Sequence, residues 1–422
     1  MKIYVVALTA YLVGCGLAAA QDVEIGGGST AGPTNDGIQG GPMAGQIASE
    51  DGEGAGGMSL LTKLPVHLSL FTQDGYDNNS SLSSTGTGSW FTRDGLKVFY
   101  NLPSQRTHLD THAGADFTYY PDRTSGKSSD INSYLDIRLN HPVSTRLKLT
   151  ASVDARYRTE PDFSTNVGVA NQRTNYFYTS DKVAGTYDWT SRFATVTSDA
   201  ISAVQYESSA AGNFSNRFEN TLGEEFRFSL VQSDLTLVGE YRFQSVNYET
   251  VSRDSTTHYA LGGFDKTFNT ELRATIRAGA TFRSYTDDGD RTDPHVETSL
   301  HYQGAHALQL TWTTSYGIEE SGMAGVSSQT TFRTGLLTKY KVSSRINATV
   351  TGFYFHADNN VSQTTSASSG SSHDGVDLSA SLRYAIKGFL TADITYQHSQ
   401  ESGNVNQDYS RDRYSAGLTF TY

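Results

Sequence analysis

The sequence predicts an all-β chain, closed into one antiparallel barrel of about 18 strands, or 16 if one hairpin is lost. Three observations predict it. Apolar and polar residues alternate with period two through segment after segment, and each segment outruns the ~5–6 residues of an ordinary globular strand. Tight turns alternate with longer polar loops between these segments. The chain is also aromatic yet polar on average: 25 Tyr, 20 Phe and 3 Trp occur in 422 residues with one Cys and a mean hydropathy of −0.44. After the N-terminus no run approaches the ~18 apolar residues of a membrane helix. The aromatic content argues against disorder.

The N-terminus is not part of this pattern. Lys2 precedes the apolar run Ile3 to Leu17, and Ala18-Ala19-Ala20-Gln21 follows. A positive start, an apolar stretch and an Ala-x-Ala site predict a secretory signal peptide over 1–20, cleaved after Ala20. Leu12-Val13-Gly14-Cys15 resembles a lipobox, and lipidation of Cys15 would tether the chain by acyl groups. The apolar run continues past Cys15 to the Ala-x-Ala site, which favours cleavage after Ala20 and a mature chain without Cys. Residues 21–57 hold 12 Gly and the carboxylates Asp22, Glu24, Asp36, Glu50, Asp51 and Glu53, with no Lys or Arg. This predicts a flexible acidic tail, with a plug or a partner-binding segment as its alternatives.

From residue 58 the barrel begins. Strands are predicted at 64–74, 89–101, 105–120, 131–141, 145–158, 174–189, 192–207, 216–231 and 234–250. The second half follows at 257–268, 270–285, 294–303, 307–319, 328–341, 344–358, 374–386, 389–401 and 409–422. Residues 145–158 show the pattern: Leu147, Leu149, Ala151, Val153, Ala155 and Tyr157 on one face oppose Arg146, Lys148, Thr150, Ser152, Asp154, Arg156 and Arg158. Alternate side chains of a strand point to opposite faces, so one face is apolar and the other polar. Alternation is weakest in 89–101, 174–189 and 257–268. Tight turns recur every 36 to 49 residues, near Pro103, Pro142, Ser191, Ser233, Asn269, Ala305, Ser343 and Gly388. A propeller blade would place four short strands in that period, with similar turns at both ends. Here two strands of about 12 residues fill it, and the long loops, such as 74–88, 159–173, 319–328 and 358–374, lie on one side only.

A sheet with an apolar outer face must close, because an unpaired backbone group in lipid costs several kcal/mol. Tyr119, Tyr157, Tyr187, Trp189, Tyr206, Tyr302, Tyr354, Tyr384 and Tyr422 lie near strand ends, where amphipathic rings meet lipid headgroups. A soluble β-sandwich would not keep Arg, Asp and Glu along one face of so many strands. Glu224, between Leu222 and Phe226 on an apolar face, is expected at a rim or a bulge.

The last strand, with Tyr414, Ala416, Leu418, Phe420 and a terminal Tyr422, resembles the final strand of bacterial outer-membrane β-barrels. The chain is similar to the family named Putative beta-barrel porins. That resemblance implies outer-membrane localisation, contact with outer-membrane lipid and lipopolysaccharide, and recognition of Tyr414, Leu418, Phe420 and Tyr422 by the barrel-assembly machinery. Phe is the usual last residue, so Tyr422 is a variant. The family supplies no catalytic motif.

The residues themselves offer no enzyme either. His108 and His112 share a face but stand ~13 Å apart in a strand, too far for one metal ion; His67 and His356 are isolated. No Ser–His pair invites a rim hydrolase. Asp287-Asp288-Gly289-Asp290 with Asp293 lacks the full spacing of a calcium loop and reads as a solvated loop. No catalytic, cofactor or metal residue is assigned. The net charge of −12 excludes a nucleic-acid partner. The polar face is the candidate site: Arg138, Arg146, Lys148, Asp154, Arg156, Arg158, Arg242, Arg273, Arg277, Arg283 and Asp393 are expected to line the pore. A barrel of 16–18 strands encloses an aqueous channel. The expected function is a porin for small hydrophilic solutes. An export barrel, for example for polysaccharide, and a structural or adhesive surface barrel are the alternatives, and a homo-oligomer is compatible with all three.

Overall fold

The computed structural model describes residues 66–102, 104, 106–124, 126–160, 174–207, 216–230, 234–249, 253–286, 289–304, 307–321, 326–361, 372–403 and 408–422. The predicted signal peptide with Cys15, the acidic tail and Asp287-Asp288 lie outside these residues. The strands are β1 (Val66–Asp77), β2 (Ser89–Asn101), β3 (His108–Tyr119), β4 (Ser129–Pro142), β5 (Leu147–Arg158), β6 (Tyr176–Asp188), β7 (Phe193–Tyr206), β8 (Arg217–Ser229) and β9 (Leu235–Tyr248). They continue as β10 (Ser255–Thr267), β11 (Leu272–Tyr285), β12 (Arg291–Gln303), β13 (Leu308–Glu319), β14 (Val326–Lys341), β15 (Ile346–Val361), β16 (Ser372–Lys387), β17 (Leu390–Ser402) and β18 (Tyr409–Thr421). Every predicted strand is present, the three weakest included, with ends shifted by at most three residues.

Each strand pairs antiparallel with its neighbours in sequence, and β1 pairs with β18, so the 18-stranded sheet closes. The seam runs from Ser69 opposite Thr421 to Asp77 opposite Arg413. Leu68 and Tyr422 extend it by exchanging two backbone hydrogen bonds, at 3.1 and 2.7 Å. Closure leaves no edge to satisfy in lipid.

The short turns share a device that period-two reading does not see. Ser144, Thr190, Asn269 and Ser343 each accept, through a side-chain oxygen, from the backbone N–H groups two and three residues later. Such side chains replace the ladder partners that a turn removes. Each opens a related tetrapeptide: Ser144-Thr-Arg-Leu147, Thr190-Ser-Arg-Phe193, Asn269-Thr-Glu-Leu272 and Ser343-Ser-Arg-Ile346.

The distribution of side chains is inverted relative to a soluble protein. Arg156, Arg277, Arg283, Asp77 and Asp136 are buried, whereas Leu70, Trp90, Ile131, Leu222, Leu336, Leu378 and Ile394 are exposed. The apolar face is therefore the outer face. Aromatic residues mark two levels on it. Trp189, Phe228, Tyr340, Phe389 and Phe420 stand at the short-turn end, while Tyr76, Trp90, Tyr119, Phe177 and Phe218 stand about ten residues up their strands. At ~3.3 Å per residue and ~45° tilt the levels lie ~23 Å apart, the height of an apolar band that spans a membrane.

Two expectations need correction. Tyr206 is not a membrane-interface ring: it faces inward, buried with Tyr176, Tyr178 and Val204 near the long-loop end of β6 and β7. Its position in the alternation, shared with Val204, puts it inside. Glu224 lies neither at a rim nor at a bulge. It sits in the middle of β8, whose pairing with β7 and β9 runs without a register shift, and it accepts a 2.6 Å hydrogen bond from Thr197 of β7.

Candidate functional site: the lumen and its long-loop mouth

Strand alternation turns two charged walls inward. Along β8 to β12 the charges form one connected network. Arg227 pairs with Glu225, which lies 3.8 Å from Arg277. Arg277 binds Asp265 at 2.7 Å and approaches Glu240 at 3.8 Å. Glu240 binds Arg242 at 2.5 Å, and Arg242 forks onto Glu297 at 2.7 and 3.0 Å. His295 ends the chain at 2.7 Å from Glu297, with its ring against Tyr259. On the opposite wall Arg93 binds Asp116 at 2.7 Å, Arg138 lies 3.3 Å from Asp136, and Arg156 pairs with Asp154. Buried charges of this kind stay ionised only when matched this closely.

The long-loop mouth is narrowed from inside. Residues 78–88, between β1 and β2, turn into the barrel rather than away from it. Leu82 is 1% exposed and packs on the inward-facing Phe355 and Ala357 of β15 and Tyr409 of β18. Asn79 shapes this loop: its amide donates to the carbonyls of Ser83 and Ser410, and its Oδ1 accepts from the Ser83 N–H. Leu82 is held at φ 54°, a left-handed backbone that a branched side chain does not choose by itself.

A polar cluster lies beside that contact. Arg411 of β18 forks onto Asp77 at 2.9 and 2.5 Å and onto Glu160 at 2.9 Å. Arg413 reaches Asp77 at 3.3 Å, Glu160 at 2.9 Å and the Tyr120 hydroxyl at 2.7 Å. Asp77 ends β1 and Glu160 follows β5, so these pairs join the barrel seam to the start of a distant loop. At the same long-loop end, Glu320 just after β13 binds Arg283 of β11 at 2.7 Å and accepts from the Tyr248 hydroxyl of β9 at 2.6 Å. Outside the strands, hydrogen bonds from Tyr157 and Asn175 hold the Glu207 carboxyl below its usual range.

Charged residues inside, apolar residues outside and inward loops at one mouth describe a membrane barrel. The family model that matches is Putative beta-barrel porin 2, over residues 66–422. This chain belongs to that family. No curated protein matches. Among solved structures, the outer membrane protein OpdK of Pseudomonas aeruginosa is similar at 12% identity and a TM-score of 0.43, over 85% of this chain and 99% of that one. The siderophore receptor PirA of the same organism is similar at 11% and 0.40, over 85% and 80%. OccAB4 of Acinetobacter baumannii is similar at 12% and 0.39, over 85% and 98%.

Within this porin-family barrel, the residues expected to line the pore divide into three groups. Arg156, Arg242, Arg277 and Arg283 face inward but are held by carboxylates, and Asp154 and Asp393 are likewise engaged, Asp393 by Gln73 at 3.3 Å. Arg146 and Arg273 are exposed at the short-turn end, with no carboxylate at ion-pair distance among the described residues. Arg138 keeps 64% of its side chain exposed despite Asp136, and Lys148 and Arg158 are half-buried near opposite ends of β5. The two basic ladders are thus not bare columns of positive charge, because acidic residues on neighbouring strands meet them.

The residues that the resemblance marks for assembly also have definite places. Tyr414, Leu418 and Phe420 project outward and exposed, with Tyr414 against Tyr396 and Phe420 against Phe389. Alternation could not reveal Leu82, Asn79, Glu160, Arg411, Arg413 and Glu320 as a group. Their only mark is chemical: a lone Leu in a polar loop, and Arg-x-Arg opening the last strand.

Proposed function

We propose that this chain is an outer-membrane channel that admits small hydrophilic solutes by diffusion, with residues 78–88 acting as a latch over its long-loop mouth. The inward charged network, opposed to an outward apolar band, carries this reading. Matched pairs such as Arg242–Glu297 and Arg277–Asp265 make a wall that is polar yet nearly neutral. Such a wall suits polar solutes of either charge better than one ion class. The exposed Arg146 and Arg273 add a basic character at the short-turn mouth. Family membership supports the same reading. The short turns, Val66 and Tyr422 share one mouth, which would face the periplasm if the chain is exported through a signal peptide.

Single-channel recording of the refolded full-length chain in planar bilayers tests the proposal. Discrete conductance steps are expected, brief in the native chain and longer once the latch is loosened. An export barrel would stay silent without its periplasmic partner, and a structural barrel would stay silent in every form. Silence from both the native chain and a latch variant would overturn the channel reading.

A further inference from the structure

Leu82 closes over one row of inward side chains at the long-loop mouth. The pairing sets Phe355 of β15 opposite Gly375 of β16, Gly375 opposite Glu401 of β17, and Glu401 opposite Tyr409 of β18. Paired residues point to the same face, with Cβ atoms ~4.5–5.5 Å apart. Gly375 has no side chain to keep its neighbours apart, and the Phe355 ring lies over it, where a Cβ would clash with Cε1 of that ring. Glu401 is therefore flanked by two rings, Phe355 and Tyr409, and these are the rings on which Leu82 packs. Glu401 is 3% exposed, and its Oε2 is buried without a hydrogen-bond partner among the described residues. Arg411, the inward cation of β18 beyond Tyr409, is taken by Asp77 and Glu160.

An ionised carboxylate in that place would lack both a donor and a counter-charge, so the docked loop keeps the neutral acid. The site is outside the apolar band. Glu401 stands five residues past Tyr396, whose outward ring shares a row with Tyr414 and with Tyr76 of the upper aromatic level. At ~3.3 Å per residue and ~45° tilt that is ~12 Å beyond the level. Burial raises the carboxyl to about 8, and Asp408 adds to the rise. The loop 78–88 carries no ionisable side chain of its own. Asp377 of β16 is held by Gln397 and Ser399, the exposed Asp408 accepts from the Gly403 N–H, and Arg333, over the Phe355 ring, is paired with Glu319. Burial pushes the Tyr409 phenol well up, so it keeps its proton. His373 of β16, its ring against Phe355, is lowered by burial to about 4. Above pH 7 His373 is neutral with the loop docked or free, which leaves Glu401 as the group that changes charge.

We propose that Glu401 is the proton sensor of this mouth: the docked loop seals its neutral carboxyl, and loss of that proton releases Leu82 from Phe355 and Tyr409. The inference rests on the latch of residues 78–88 and adds its regulation. With the loop free the carboxyl meets water and returns toward the ordinary ~4.3. The docked state thus keeps its full hold below ~4.3 and loses it as pH rises through about 8. Release of one proton changes the ratio of docked to free loop by up to about tenfold per pH unit in that interval. Acid closes the mouth and alkali opens it.

The test uses the full chain in bilayers between pH 7 and 8.5, with Cys15→Ser and a pH-insensitive fluorophore on Ser84→Cys in the exposed part of the loop. Label anisotropy reads docking of the loop, and single-channel recording of the same protein reads the pore. Across that range anisotropy should fall and open-state occupancy should rise about eightfold. Glu401→Gln keeps the shape of the neutral acid and should hold anisotropy high and occupancy low throughout. Glu401→Leu, apolar between two rings, should behave in the same way. Asp408→Asn removes only an exposed charge and should keep the pH dependence. Heat-modifiability confirms a folded barrel in each case. Anisotropy that stays flat with the native Glu401, or that falls equally in Glu401→Gln or Glu401→Leu, would overturn the proposal. Release of the loop with rising pH but without conductance would uphold the sensor and overturn the channel reading instead.

Discussion

Replacing Leu82 by Ala should loosen the latch without disturbing the barrel. Leu82 is 1% exposed, against Phe355, Ala357 and Tyr409, so its side chain has left water almost completely. Burial of such a side chain contributes ~1.5–3 kcal/mol. The left-handed φ of 54° at this position opposes docking by ~1–2 kcal/mol, and Ala keeps that cost while losing most of the apolar gain. A loss of ~2 kcal/mol from the docked state is a shift of about 30-fold toward the undocked one. Leu82 makes no strand pairing, so the ladder and the seam are untouched. The assay is single-channel recording, with open-state occupancy compared between native and variant chains at one voltage. Occupancy should rise by an order of magnitude while heat-modifiability on gels is unchanged. Equal occupancy and equal conductance in a folded variant would refute the reasoning, because a docked Leu82 would then have no bearing on the conducting path.

Other outcomes follow from the same geometry. Arg277→Ala leaves Asp265, Glu225 and Glu240 facing one another in a buried site, and should lower stability to urea by ~3–5 kcal/mol. The exposed Arg146→Ala and Arg273→Ala should leave stability alone and move the reversal potential toward cations, which a bilayer measurement with a salt gradient would show; no movement would separate them from the conducting path. Val153→Arg or Ile276→Arg places a cation on the outer face at a cost of ~2–4 kcal/mol, and should reduce the folded fraction in liposomes, where normal insertion would contradict the assignment of faces. Deleting Phe420 to Tyr422 removes the pairings of Phe420 with Leu70 and Tyr422 with Leu68. Degradation before insertion is expected, and a heat-modifiable barrel after that deletion would show that the seam closes without them.

How much was legible depends on how local each cause is. The alternation in 145–158 is a property of adjacent residues, so β5 and its inward Asp154 and Arg156 could be read directly. The strand count followed in the same way, because a chain whose apolar face meets lipid has to repeat that pattern in every strand. Even the weak segments at β2, β6 and β10 obeyed it. Glu224 and Tyr206 mark the limit. Both occupy ordinary positions in their strands, and the sequence shows which face each is on, but not what that face meets.

What the sequence by itself determined is therefore the barrel: period-two alternation decides facing, turn chemistry at Ser144, Thr190, Asn269 and Ser343 decides where strands reverse, and the cost of open edges in lipid decides closure. Only the tertiary structure decided the mouth. Glu160 and Arg411 are 251 residues apart, and Asp77 and Arg411 are 334 apart. Leu82 meets Phe355 and Tyr409 only after eighteen strands have come round to bring β15 and β18 beside β1. Contacts at that separation are set by curvature and closure of the whole sheet, which no local pattern encodes. The pairing of the Arg ladders follows the same rule. The run around Arg273 and Arg277 looks basic when read along one strand. At Arg277 that charge is met when β8, β9 and β10 set Glu225, Glu240 and Asp265 against it, while Arg273 stays exposed, because charge balance in a sheet is settled across strands rather than along them.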